Sequence, residues 1–168
     1  MDSLTIDELM RSSALDKEKQ LQRRLLCSKI ELEDVVKTMS KLYEPVTNES
    51  WEDDMAPVLI GHARLYVFGE QHLVYNLKSL ALFKLHKVLM HLTVFGTTPR
   101  AITELARYVY DNTLTNEGSD DMDPLRKIIV EFVAIHFPFY EQSPFHKDLM
   151  REGGDYPVDL LNVVAKWR

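Results

Sequence analysis

Between Leu59 and Leu89 the apolar residues recur at steps of three and four, the period of a helix with one buried face. Leu59, Ala63, Tyr66 and Val67 share one such face. Leu77, Leu80, Ala81, Leu85, Val88 and Leu89 share a second, with Lys84 in the same row. The residues between them, Phe68-Gly69-Glu70-Gln71-His72-Leu73, interrupt the period and predict a helix end and a tight corner. The pattern therefore predicts an αα-hairpin packed around Leu73 and Leu77.

Downstream the period returns in shorter blocks separated by stop and start signals. Gly96 can take the positive φ of a C-terminal cap, Thr98 can cap the next helix, and Pro99 suits its first turn. Ile102, Leu105, Ala106, Val109 and Tyr110 supply that helix's apolar face. Asn112 to Asp123 predicts a loop with an acidic tip at Asp120, Asp121 and Asp123. Asp123-Pro124 starts a further helix, lined by Leu125, Ile128, Ile129, Phe132, Val133 and His136 and ended by Phe137-Pro138. Ser143-Pro144 opens a short helix that reaches Arg151, Gly153-Gly154 turns the chain, and Tyr156-Pro157 leads into a last helix with Leu160, Leu161 and Val164.

Upstream, Leu15 to Tyr43 contains no Gly or Pro and is rich in good helix formers. Leu21, Leu25, Leu32, Val35, Met39 and Leu42 fall at alternating four- and three-residue steps, with Ser28 in the one polar seat. This spacing fits the seam of a coiled coil, but over only about three heptads the preferred reading is an amphipathic helix packed on its own domain. Ser28 with Glu31 also has capping-box spacing and offers a break. Glu44-Pro45 ends the segment. The expected organisation is a helical appendage over 1–44, an acidic Pro-bounded linker over 45–57 from which Trp51 packs onto the main body, and a helical domain over 58–168. The expected fold is all-α, a multi-helix bundle of seven to eight helices with an amphipathic N-terminal helix and no strand. Leu65–Phe68 has β propensity but sits inside a helical period.

Composition narrows the role. With 168 residues, 45% apolar and 27% charged, the chain can bury a substantial core. The net charge is −6, and the densest basic cluster is Arg23-Arg24, which disfavours binding to nucleic acid or to an anionic membrane surface. The single cysteine, Cys27, rules out an internal disulfide and a Cys-rich zinc site. The first residues lack the features of a secretory signal, and no apolar run approaches the ~18–20 residues that span a bilayer. The expectation is an intracellular protein, cytoplasmic or nuclear, in which the sequon Asn48-Glu49-Ser50 is a chance match.

Catalytic and ligand motifs are absent. His62, His72, His86, His91, His136 and His146 form no HExxH or HxxxH pair, and His86 and His91 lie off a common helical face. The acidic loop lacks the ligand order of a calcium site. No glycine spacing matches a phosphate-binding loop, and neither Ser12-Ser13 nor Cys27 has the context of a nucleophile. The residues predict no enzyme, no cofactor and no metal.

His62-Ala63, Leu65 to Val67, Glu70, Leu73, Leu77-Lys78, Leu80-Ala81 and Lys84-Leu85-His86 match a pattern that resembles the final helical hairpin of BTB/POZ domains, in particular the fungal branch. The segments Arg107 to Thr113, Pro124-Leu125-Arg126 with Val130 to His136, and Gly153-Gly154-Asp155 with Val158 to Leu161 are similar, in order, to the helices after the domain in those proteins. Gly69 stands where the pattern has Ala, and Gln71-His72 where it has Lys-Tyr. Residues 1–58 do not read as the β-sheet half of a BTB domain. The family's dimerisation through that half and its cullin binding therefore do not carry over to residues here. The chain reads as a truncated paralogue, a piece of a longer protein, or a helical module that stands alone. The resemblance implies a non-catalytic protein-interaction or adaptor module. The face Leu21, Leu25, Leu32, Val35 and Met39 is the candidate contact for a protein partner. The alternative is a self-associating structural protein that uses Leu15–Tyr43 as a coiled coil.

Overall fold

The computed structural model describes residues 37–38, 40–114 and 122–166. These residues form seven helices and no strand: α1 (Ala56–Gln71), α2 (Tyr75–His91), α3 (Thr98–Asn112), α4 (Pro124–Ile135), α5 (Phe137–Tyr140), α6 (Pro144–Glu152) and α7 (Asp155–Lys166). The all-α class is as the pattern predicts. A short helical turn also includes Lys37, Thr38 and Ser40. The predicted face of the amphipathic N-terminal helix, Leu21, Leu25, Leu32, Val35 and Met39, lies outside the described residues.

α1 and α2 form the predicted hairpin, and α3 packs across α1. α4 is apolar nearly all round: Leu125, Ile128, Ile129, Val130, Phe132 and Val133 are buried, as suits a helix enclosed by its neighbours. α3 and α7 pack directly on α4, and α6 lies against α3. One continuous core results, from Leu59 and Tyr66 through Leu105 and Val109 to Phe132, Tyr140 and Leu160. Each large side chain hidden in it adds roughly 1.5–3 kcal/mol.

Helix starts follow the predicted signals unevenly. Asp123 caps α4 as expected, its Oδ1 accepting from the backbone N–H groups of Leu125 and Arg126 at 2.8 and 3.3 Å. Thr98 does not cap α3; it lies inside the helix, and its hydroxyl donates to the Thr93 carbonyl at 3.1 Å. The N-cap is Thr97, whose hydroxyl donates to the Asp53 carbonyl at 2.7 Å. α4 stops at Ile135, before the predicted Phe137-Pro138, and those two residues open the single turn of α5.

Residues 45–55 are irregular but fixed to the body. Asn48 is buried and pairs with the Thr93 backbone in both directions, at 2.8 and 2.9 Å. This use of the whole amide leaves the sequon asparagine unavailable for modification in the folded chain. Trp51 differs from expectation, because its side chain is 64% exposed. Its backbone makes the contact instead: the Trp51 carbonyl accepts from Thr97 N at 3.4 Å, beside Gly96 at φ +55°. A Cβ on Gly96 would stand 2.2 Å from that carbonyl oxygen, so only glycine fits both the turn and the approach.

The hairpin corner is a Schellman turn. Val74 N–H donates to Gly69 O at 2.8 Å and Leu73 N–H to Glu70 O at 3.3 Å. The left-handed residue of such a turn is usually glycine, yet here it is Leu73, at φ +56°. Leu73 does not anchor the inside of the hairpin as the pattern suggested, since it is 68% exposed. The close approach falls one turn earlier, where a Cβ on Gly69 would lie 2.8 Å from the Lys78 backbone nitrogen. Gly69→Ala must push α2 outward. The overpacking cost of roughly 1–3 kcal/mol exceeds the gain of ~1 kcal/mol in helix propensity. A lower midpoint in urea denaturation is expected.

Candidate docking surface

The outer side of the hairpin carries an apolar surface that no described element covers. Leu65 and Phe68 on α1 are exposed, as are Leu73 and Val74 at the corner and Tyr75 at the start of α2. On α2, Leu77, Leu80 and Phe83 are only half-buried, whereas Ala81, Leu85, Val88 and Leu89 are buried. The apolar row read from the sequence is thus split along its length. One part faces α1 and α4, and the other faces outward.

This surface is also basic. Of the lysines of α2, Lys84 and Lys87 border it, whereas Lys78 turns inward to Glu70 and Tyr66; the helix has no Asp or Glu. Lys84 lies over the Tyr43 ring at 4.8 Å and Lys87 over the Phe83 ring at 5.6 Å, so their stems extend the apolar area while their ammonium groups rim it. Tyr43 brings the upstream chain onto this side of the hairpin. Its hydroxyl lies 3.3 Å from His62 Nε2 and the two rings meet edge to face. Leu73 is the most telling residue. A leucine in the left-handed region costs roughly 1–2 kcal/mol, and an exposed one recovers none of that by burial in the described fold.

The polar groups elsewhere hold the helices to one another. A cleft of about 360 Å³ lies between the C-terminal ends of α1 and α3, lined by Tyr66, Glu70, Gln71, Asn112, Thr113 and Asp123 among others. Its acids are engaged: Tyr66 donates to Asp123 Oδ2 at 3.1 Å, and Glu70 pairs with Lys78, whose ammonium stands 5.0 Å from the Tyr66 ring centre. Burial, and then the Asp123 charge, drives the Tyr66 phenol far above its ordinary range, so it remains a neutral donor. Beside the cleft, buried Arg126 donates to Thr113 Oγ1 at 2.8 Å, to Thr113 O at 2.6 Å and to Asp155 Oδ2 at 2.9 Å. Its guanidinium lies 4.4 Å from the Tyr110 ring centre, and Tyr110 donates to Asp159 at 2.8 Å. These bonds tie α3, α4 and α7 together.

The six histidines are dispersed. His72, His91 and His136 each place Nδ1 within hydrogen-bond distance of the carbonyl four residues earlier, at 3.0, 2.8 and 3.0 Å. His86 is buried in α2. Among the described residues no group of three or more His, Cys, Asp or Glu is placed to hold a metal ion. His146 is enclosed by the rings of Phe137, Tyr140 and Tyr156, with Nε2 3.0 Å from the Tyr156 hydroxyl.

Burial lowers the His146 pKa from its ordinary 6.5, partly opposed by a hydrogen bond to the Tyr140 backbone. His62 is lowered as well, by burial first and then by Lys84. A depressed pKa means that the neutral ring is the folded form. Its contribution is complete above 6.5 and is lost as pH falls through the lower folded value. The melting temperature is expected to drop on acidification from pH 6.5, before the carboxylates titrate. His146→Gln should flatten that slope in thermal melts taken across this range.

The sequence-predicted contact face and the observed apolar surface are different parts of the chain, because the former lies outside the described residues. Periodicity placed the corner correctly but took Leu73 as inward-facing and grouped Leu77 and Leu80 with the buried row of α2. A leucine at a position where a corner needs positive φ was the available signal. Among the described residues no helix is long and apolar enough to cross a membrane. No protein-family model, no curated protein and no solved structure matches the chain.

Proposed function

We propose that the chain is a non-catalytic protein-interaction module of the cell interior, similar to the helical region after the BTB domain in fungal BTB/POZ proteins. Its hairpin docks an amphipathic helix with acidic flanks. Leu73 carries the proposal: a branched apolar side chain is kept, exposed, at a backbone position that favours glycine. Leu65, Phe68, Val74 and Tyr75 extend the apolar surface around it, and Lys84 and Lys87 supply the complementary charge. A protein ligand fits better than a nucleic acid, because the whole chain is acidic and the basic side chains border an apolar strip.

Leu73→Gly separates fold from function. Relief of the left-handed leucine should stabilise the fold by about 1 kcal/mol. The same change should weaken docking at least several-fold. A displayed library of amphipathic helices, panned against the full chain, supplies the probe. Selected peptides should lose affinity for Leu73→Gly and for Leu77→Glu/Leu80→Glu. Peptides that bind all three proteins equally, or a selection that yields none, would overturn the proposal. The self-associating alternative has Leu42 in its favour, a seam position 85% exposed in the described fold. Sedimentation across concentration decides it, and a strict monomer removes it.

A further inference from the structure

Gly61 is a glycine that the described fold does not explain. It lies inside α1, one and a half turns from the start, where glycine is the poorest helix former after proline. Among the described residues the other glycines each have a reason. Gly96, Gly153 and Gly154 take positive φ, and Gly69 meets the Lys78 backbone. Gly61 is helical, and a Cβ there would meet no described atom within 4 Å. Alanine would fit and would favour the helix, so the missing methyl group points to a contact outside the described fold. Its position says on which face. Gly61, Leu65 and Phe68 stand at i, i+4 and i+7, on the outward stripe of α1 where Leu65 and Phe68 are exposed. From Gly61 to the end of α1 is about 15 Å at 1.5 Å per residue, the length of nearly three turns of a docked helix. Lys84 of α2 reaches the same level as Gly61, because Tyr43 joins it to the neighbouring His62. The Tyr43 hydroxyl lies 3.3 Å from His62 Nε2 and its ring centre 4.8 Å from the Lys84 ammonium.

We infer that the partner helix makes its closest backbone approach to α1 at Gly61, with a Gly, Ala or Ser of its own at that point and an Asp or Glu within one turn of it, facing Lys84. The inference rests on reading the outer side of the hairpin as a protein-docking surface, and it adds where the partner sits and which residues it must carry. Helix axes pack about 8–10 Å apart, and the short end of that range needs small side chains at the contact. A close-packed contact of this kind feels a single added carbon. The acidic position follows from the charge of α2 on this side, which comes from lysines alone.

Gly61→Ala in the full chain should raise the melting temperature by roughly 2–4 °C, because the fold gains helix propensity and loses no contact. The same variant should weaken binding of the helical peptides selected on the wild-type chain several-fold, and Gly61→Leu by roughly tenfold or more. Those peptides should share a small residue in their apolar face with an acidic residue three or four positions away. Leucine at that small residue should weaken them as Gly61→Leu does. Peptides that depend on Leu73, yet bind Gly61→Ala and Gly61→Leu as well as wild type, would overturn the inference and leave the docking surface standing. So would a lower melting temperature for Gly61→Ala, which would make the glycine a need of the fold itself. A wild-type dimer that Gly61→Leu dissociates in sedimentation would overturn it too, with a second copy as the occupant. Peptides indifferent to Leu73 and Gly61 alike remove the functional reading itself.

Discussion

Arg126→Ala is expected to lower the unfolding free energy by roughly 3 kcal/mol, the low end of the cost of breaking a buried ion pair. Arg126 is 3% exposed, and its guanidinium satisfies the Thr113 hydroxyl, the Thr113 carbonyl and Asp155. Truncation leaves the Thr113 carbonyl near the C-terminal end of α3 without its partner and opens a void against the Tyr110 ring. Asp155 is half in solvent and can be rehydrated, which keeps the loss from being larger. Arg126→Lys should recover only part of it, because an ammonium cannot make the forked contacts or stack on Tyr110. Urea denaturation of the three proteins reads the order directly. Equal midpoints would mean that the guanidinium does not join α3, α4 and α7.

Phe132→Ala carries the second large effect, about 3–5 kcal/mol. Phe132 is buried at the middle of the core, with its ring 6.5 Å from that of Tyr140 and 4.6 Å from that of His136. Tyr140 belongs to α5 and His136 to its junction with α4, so the two are held by the backbone and do not collapse into the space that alanine leaves; a cavity remains. For a domain of this size the melting temperature should fall by roughly 10–15 °C. Leu161→Ala, on the exposed side of α7, is the control and should stay within about 0.5 kcal/mol of wild type. A small effect at Phe132 would place the core elsewhere.

The hairpin was legible in the sequence because a buried face leaves a period. Leu59, Ala63, Tyr66, Val67, Ala81, Leu85, Val88 and Leu89 are all buried, as their spacing predicts. Leu77 and Leu80 belong to the same row but are half-exposed. Spacing states which residues share a face; it does not state whether another element covers the whole of that face. Local chemistry was read well where it is strictly local. The Asp123 carboxylate stands beside the first N–H groups of its own helix and accepts from them with one oxygen, while the other accepts from distant Tyr66, a bond that spacing does not show. Thr98 had a competing local acceptor in Thr93, and Thr97 a distant one in Asp53. The bonds Arg126–Asp155 and Tyr110–Asp159 join residues 29 and 49 positions apart, and no pattern along the chain encodes such pairs. Still, an arginine set among Leu125, Ile128 and Ile129 in a mostly apolar helix already asks for a buried partner.

The candidate site divides in the same way. Leu21, Leu25, Leu32, Val35 and Met39 were readable as an apolar seam, but a seam alone does not name its groove. The described helices present an apolar surface rimmed by Lys84 and Lys87, which only the tertiary arrangement assembles.

Hydroxyl-radical footprinting of the full chain tests the account most directly, since side-chain oxidation tracks exposure. In the described fold Leu65, Phe68 and Tyr75 on the hairpin and Val158 and Leu161 on α7 are all exposed. With a selected helical peptide bound, the hairpin set should become protected relative to the α7 set, and Leu77→Glu/Leu80→Glu should abolish that protection. A hairpin set that oxidises as fast with the peptide as without it would contradict the docking surface.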